Sequence, residues 1–250
     1  MNSESYSMGG RCSACSLQRV CLPAGSPHAA VAEFEKLVEQ PTMIESGAEL
    51  FAQNEPLRAI FTIRSGAVKA VRGGAEEQQI VGFVLPGELL GFHAIHTGRH
   101  PFRAVAIEPV YLCRIDFGRL MQLLHQYPTL EQQLLMLISR QLMQEQNTIR
   151  SLSLKSADAR LAALLIGFSD HYRMRGFSPF DFWLPVSRQE MSSYLSLAVE
   201  TVSRIFSRFQ QQGYLRVKGR RIEALNLTAL SAMAGIPMVL EPSRSTGTLG

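Results

Sequence analysis

The stretch Ser187-Arg188-Gln189-Glu190-Met191-Ser192-Ser193-Tyr194-Leu195-Ser196-Leu197-Ala198-Val199-Glu200-Thr201-Val202-Ser203-Arg204-Ile205-Phe206-Ser207-Arg208-Phe209 decides how this chain is read. Ser187 can cap a helix start, and Glu190 stands three residues on, in the capping-box position. Met191 and Leu195 carry that helix inward, and a break follows at Ser196-Leu197. A second helix runs from Ala198 to Phe209, with Val202, Ile205, Phe206 and Phe209 on its buried side. Glu200, Thr201, Ser203, Arg204 and Arg208 are left for the other side. A capped helix, a sharp turn and a polar second helix predict a helix-turn-helix. The polar face suits a major groove, because Arg can hold guanine with two bonds, Glu can accept from cytosine, and Ser or Thr can contact thymine or phosphate.

Downstream, Gly213–Val217 and Arg221–Leu225 flank a Lys218-Gly219-Arg220 turn, a hairpin wing with Lys218 and Arg220 near a DNA backbone. Between Ser187 and Arg221 stand seven basic residues (Arg188, Arg204, Arg208, Arg216, Lys218, Arg220 and Arg221) against Glu190 and Glu200. That excess fits a phosphate-binding surface, although on charge alone a solvated face is an equal reading.

Upstream, a long helix is expected from Thr129 to about Leu154. Read in heptads it places Leu135, Ile138, Leu142, Glu145, Ile149 and Leu152 on one seam, apolar except at Glu145. The alternatives are a parallel homodimer seam and a helix packed on its own domain. The helix-turn-helix favours the dimer, since such readers pair to span two half-sites. Ser156-Ala157-Asp158 opens a further helix, and Phe182–Val186 reads as a short strand.

From Thr42 to Phe117 the pattern changes. Strand-like runs at Ala59–Ile63, Ala67–Val71, Gln79–Val84 and Val110–Ile115 alternate with turn signals such as Arg64-Ser65-Gly66 and Leu85-Pro86-Gly87. Short strands with turns every eight to twelve residues predict an antiparallel β-barrel or roll. Ala29–Glu39 before it reads as a short amphipathic helix.

The four cysteines are Cys12, Cys15, Cys21 and Cys113. Three lie in an N-terminal arm without helical periodicity, which reads as ordered mainly by its thiols. With no apolar run long enough to span a bilayer and no secretory h-region, the expected compartment is the reducing cytoplasm. Clustered thiols there point to metal or redox chemistry, not to disulfides. Four soft thiolates suit an iron–sulfur cluster, and a structural zinc site accepts the same set, so spacing alone leaves both open. His93, His96 and His100 are close in sequence, but no carboxylate or thiol follows at ligand spacing, so no enzyme is expected. The 250 residues, 46% hydrophobic and 18% charged with net charge +4, describe an ordinary globular chain.

These residues together resemble the cyclic-AMP-receptor/FNR superfamily, and within it the FNR branch with its ANR-type anaerobic regulators. Val199–Arg204 is similar to the superfamily's E-T-x-S-R reader, and Arg64-Ser65-Gly66, Gly82-Phe83 and Leu85–Leu89 to its β-roll. Cys12-x2-Cys15-x5-Cys21 with the distant Cys113 is similar to the branch's ligand set. The resemblance implies that these thiolates hold a 4Fe–4S cluster, which oxygen converts to 2Fe–2S and then destroys. It implies a homodimer on a palindromic site in double-stranded DNA, contact with RNA polymerase, and activation or repression of anaerobic-metabolism genes. Two departures stand out. Ser196 replaces the family's usual corner glycine, and the hairpin at Gly73-Gly74 is shorter than in relatives. Other branches bind cyclic nucleotides through an Arg-Ser pair after the Gly-Glu turn. Here Gly87-Glu88 is kept, but His100-Pro101-Phe102-Arg103 stands where the pair is expected, so that sensing is the alternative reading.

The expected α+β architecture is therefore an N-terminal antiparallel, jelly-roll-like β-roll, a long dimerisation helix and a C-terminal winged helix-turn-helix. By segment it comprises a cysteine-bearing arm (1–27), the β-roll sensor domain (28–126), the dimerisation helix (127–154), the DNA-binding domain (155–236) and a disordered tail (237–250).

Overall fold

The computed structural model describes residues 12–39, 41–74, 78–153, 156–224 and 226–236, so the first part of the expected arm, the expected tail and the segment after Gly74 lie outside it. The elements in chain order are α1 (His28–Leu37), β1 (Thr42–Ile44), β2 (Glu49–Phe51), β3 (Ala59–Ser65), β4 (Val68–Arg72), β5 (Gln79–Val84), β6 (Leu89–Leu90), β7 (Arg103–Ala106) and β8 (Val110–Asp116). Then come α2 (Phe117–Gln126), α3 (Pro128–Leu152), α4 (Ala157–Met174), β9 (Asp181–Trp183), α5 (Arg188–Leu195), α6 (Val199–Gln211), β10 (Leu215–Lys218), β11 (Arg221–Ala224) and α7 (Leu227–Ala234). The chain divides into two compact units, Met1–Met143 and Gln144–Gly250.

The first unit is a roll of two four-stranded antiparallel sheets, ordered β1-β8-β3-β6 and β2-β7-β4-β5. Successive side chains of a strand point to opposite faces, so β3 and β8 serve two cores. Phe61, Ile63, Val110 and Leu112 join Phe51, Phe102 and Ala104 inside the roll. Ile60 and Ile115 face outward into a second cluster with Phe34 of α1, Leu120 and Leu124 of α2, and Leu130 and Leu134 of α3. Ile60 and Ile115 are fully buried, and truncating such a side chain to Ala costs about 2–5 kcal/mol. Gly66 closes the β3–β4 turn at φ +81°, where a Cβ would come within 2.5 Å of the Pro109 carbonyl oxygen.

The described part of the arm is held by apolar side chains as well as by its cysteines. Leu17 and Leu22 are buried, and Leu22 belongs to the outer cluster, against which Cys12 also packs. Val20 lies so close to the roll that a Cβ on Gly87 would sit 2.9 Å from its Cγ2.

Pro128 opens α3 at the position where its missing N–H costs nothing. Leu130 and Leu134 are buried in the outer cluster. Of the expected seam, Ile138 packs partly against that same cluster, whereas Leu135, Leu142 and Ile149 are 60%, 51% and 66% exposed. Glu145 is half-buried.

In the second unit, β9, β11 and β10 form a three-stranded antiparallel sheet in the order β10-β11-β9. The strand expected at Phe182–Val186 starts one position earlier and ends three earlier, at Asp181–Trp183. It pairs Phe182 with Ile222 and stops short of Pro185, which has no N–H to give a ladder. α4 and α7 pack with α5 and α6 through buried residues such as Leu161, Leu165, Ile205 and Phe209.

Candidate nucleic-acid interface and thiol site

The start of α5 is closed on both sides: the Glu190 amide donates to Ser187 Oγ at 3.2 Å, and the Ser187 amide donates to Glu190 Oε2 at 2.8 Å. Ser196 ends the helix in the left-handed region, at φ 52° and ψ 50°. Ser196 thus takes the left-handed corner that a glycine would adopt freely, at a cost of about 1 kcal/mol. α6 follows with Val202, Ile205, Phe206 and Phe209 buried. Glu200, Ser203, Arg204 and Arg208 are exposed, and Thr201 is half-buried.

The cations of this region are less available than their number suggests. Arg188 lies over the Phe206 ring, 3.1 Å from its centroid, and burial pushes its guanidinium down to about 10. Arg208 gives Nε to Asp158 Oδ2 at 3.0 Å and its Nη2 to Asp158 Oδ1. On the wing, Arg216 and Lys218 both reach the Glu223 carboxylate, at 2.7 and 3.2 Å. With Lys218 first and Arg216 second, these cations hold the Glu223 carboxyl below its usual range. Arg220 donates to the Pro185 carbonyl at 3.1 Å, and Arg221 pairs with Asp181. Among the described residues, Arg204 has no ion-pair partner. It therefore stands on the outer face of α6 as the least committed of the seven.

The thiol site joins two parts of the first unit. Cys12 begins a short 3-10 turn, Cys12–Ala14. The Cys15 amide donates to the Cys12 carbonyl at 3.3 Å, and the Cys21 amide to the Leu17 carbonyl at 2.9 Å. Cys113 lies on β8 opposite Thr62, two residues from Ile115 and so on the same outer face. All four thiols are half-buried and free of disulfides. Burial pushes Cys12 up to about 12, and Cys113, Glu35 and Cys15 add to the effect. Cys21 is also pushed up to about 12 by burial, with Cys113, Cys12 and Cys15 adding. Burial raises Cys113 too, against the nearby Arg64 guanidinium, which hydrogen-bonds it. The four thiols thus feel one another's charge, and three of them resist ionising. Among the described residues, no group of three or more His, Cys, Asp or Glu side chains is arranged to hold a metal ion. The donor set still suits an all-thiolate group: four soft donors, none in a disulfide, whose protons a bound cation would displace.

Arg64 and Glu35 beside the thiols were not singled out by sequence reasoning, and only the turn motif at Arg64-Ser65-Gly66 pointed near one of them. Two of the three neighbouring histidines belong to aromatic packing. His93 lies against Phe92 and Phe102, and His100 stacks on Phe51 with centroids 3.7 Å apart. Near the Gly87-Glu88 turn, Glu88 Oε2 accepts from the Leu85 amide, and Arg103 pairs with Glu49 at 2.9 Å. Arg103, the cation of the His100–Arg103 segment, is therefore already engaged.

Family comparisons agree with this architecture. Residues 42–127 match the cyclic nucleotide-binding domain, and residues 159–233 match the Crp-like helix-turn-helix domain. The transcriptional activator protein anr of Pseudomonas aeruginosa is 40% identical over 225 residues, covering 90% of this chain and 92% of that protein. The fumarate and nitrate reduction regulatory protein of Salmonella typhi is 38% identical over 225 residues, covering 90% of each. In fold, the chain is similar to FixK2 from Bradyrhizobium japonicum, with TM-score 0.70 at 24% identity, covering 78% of this chain and 96% of that one. A β-roll, a long helix and a winged helix-turn-helix with a polar reading face define a DNA-binding transcription regulator, not an enzyme. The chain belongs to the CRP/FNR family of such regulators, among homologues named Anr and FNR.

Proposed function

We propose that this chain is an oxygen-responsive activator in which Cys12, Cys15, Cys21 and Cys113 hold a 4Fe–4S cluster that favours a DNA-binding dimer when oxygen is low. The observation that carries the reading is the shared surroundings of Cys12 and α3. Cys12 and Leu22 pack into the same apolar cluster as Leu130, Leu134 and Ile138. A change at Cys12 would therefore reach a cluster that the start of the long helix also lines. When bound, the cluster supplies oxygen-sensitive iron and the positive charge that four thiolates need.

The protein's own residues do the rest. Arg64 hydrogen-bonds Cys113, while Leu17 and Leu22 seat the arm. Leu135, Leu142 and Ile149 offer an apolar stripe to a second copy, with Ile138, Glu145 and Leu152 on the same heptad seam. Two copies set their α6 helices one duplex turn apart, about 34–36 Å, on a palindromic site. Arg204, Glu200, Thr201 and Ser203 read base edges, and Lys218, Arg220 and Arg208 contact phosphate once they exchange their present partners. The bound dimer meets RNA polymerase in the cytoplasm. Among the described residues, no helix is long and apolar enough to cross a membrane.

The test is anaerobic purification followed by iron, sulfide and zinc analysis, absorbance, and gel shifts before and after exposure to air. About four irons and four sulfides per chain, with DNA binding lost in air, are expected. One zinc per chain, or equal DNA binding in air, would overturn the reading.

A further inference from the structure

A cavity of about 270 Å³ opens inside the roll, on the face of β8 opposite Cys113. Its wall is apolar, formed by Ile44, Phe51 and Leu112 among others, and its polar groups include Glu55, Arg58, Arg114 and His100. At about 30 Å³ per water, that volume equals roughly nine waters, room for a molecule of about nine to twelve non-hydrogen atoms. Gly87 and Glu88 do not line it, so it lies apart from the turn that serves cyclic nucleotides in the family's other branches.

The cavity carries a specific set of unanswered groups. His100 is 3% exposed, yet its Nδ1 has no hydrogen-bond partner. That nitrogen is enclosed, so the groups that can meet an occupant are the charged ones. Arg114 is neutralised by Glu39. Arg58 is exposed and, among the described residues, has no ion-pair partner. Glu55 is exposed as well, and one carboxylate oxygen accepts from the Ala52 amide at 2.9 Å. One cation and one anion therefore line the same, largely apolar chamber. An anionic ligand would answer Arg58 and meet Glu55 with like charge, and a cationic ligand would do the reverse. A zwitterion with an apolar tail answers both.

We propose that this cavity binds an apolar α-amino acid, its carboxylate toward Arg58, its ammonium toward Glu55 and its side chain among Ile44, Phe51 and Leu112. This goes beyond the oxygen-sensing reading and does not depend on it, since a sample with or without metal serves the test.

Full-length protein is titrated calorimetrically with L-phenylalanine, 3-phenylpropanoate (which lacks the ammonium) and 2-phenylethylamine (which lacks the carboxylate). Saturable binding of L-phenylalanine is expected, about tenfold tighter than either analogue. Arg58→Gln and Glu55→Gln change exposed side chains and should leave the roll folded. Arg58→Gln should bring L-phenylalanine down to the level of the amine, and Glu55→Gln down to that of the propanoate. No saturable binding, equal affinity for all three compounds, or variants that bind like the wild type would each overturn the proposal.

Discussion

The carboxylate of Asp158, in the first turn of α4, takes two nitrogens of the Arg208 guanidinium on α6. Fifty positions apart in sequence, the two residues link the helix that follows α3 to the helix expected to read DNA. The pair is solvent-exposed, so its own contribution to stability is small, about 0–1 kcal/mol. Its larger effect is expected on binding: if Arg208 meets DNA phosphate, Asp158 competes for it. Asp158→Asn should tighten binding to any duplex by a few-fold and steepen the salt dependence by about one phosphate contact. Filter-binding titrations at several salt concentrations measure both, and unchanged affinity and slope would show that Arg208 never leaves Asp158.

Arg204 stands exposed on α6 without an ion-pair partner among the described residues. If it grips guanine, Arg204→Ala costs about 1–3 kcal/mol on the cognate palindrome and much less on random DNA. Lys218→Ala should instead weaken all sequences alike. Equal losses for Arg204→Ala on both DNAs would reassign it to phosphate.

No spare cysteine is present, so if all four hold the proposed cluster, changing any one of Cys12, Cys15, Cys21 or Cys113 to Ser should abolish it in anaerobic absorbance and iron analysis. The raised values at Cys12, Cys21 and Cys113 add a second expectation. In metal-free protein these thiols should alkylate more slowly than a free cysteine near pH 8, and metal uptake should release protons. Fast, complete alkylation would place them in water.

His100 gives stability a pH slope. Burial holds its pKa below the usual 6.5, while Glu55 acts in the opposite sense. As pH falls through about 6.5, the unfolded chain takes up a proton that the folded chain still refuses. Stability therefore drops as pH falls from near 6.5 toward the folded-state value, and levels off below it. Urea melts of wild type and His100→Phe, which keeps a ring against Phe51, should diverge in that window, with the variant flatter. Parallel profiles would sink the assignment.

Glu145 interrupts the apolar seam of α3. If two copies meet there, carboxylates brought near one another in a partly desolvated seam repel. Glu145→Ala should then raise dimerisation and DNA binding of the cluster-free protein in air, as read by sedimentation and gel shift. A hundredfold shift in the monomer–dimer balance needs only about 2.7 kcal/mol. A variant as monomeric as wild type would clear Glu145 of that role.

Much of this was legible in the sequence where signals are local. The capping box at Ser187 and Glu190, the break at Ser196 and the strand limits of Gln79–Val84 all follow from neighbours a few positions away. What stayed hidden depends on tertiary meeting. Arg188 counts as a cation in sequence, but Phe206 takes it out of the DNA-facing charge. Asp158 gives no hint of Arg208, and Arg103 none of Glu49. The arm has no periodicity, so the burial of Leu17 and Leu22 could not be read from spacing. Ile138 fits the heptad, yet it also serves its own domain's core.

The seating of that arm has a consequence for damage and repair. Val20 rests against Gly87, and Leu17 and Leu22 are buried, so apolar contacts seat the arm. If the proposed cluster is lost, these contacts give the arm a seat that does not depend on iron. Recovery after an oxidative episode would then be a matter of reloading the site, not of refolding the arm.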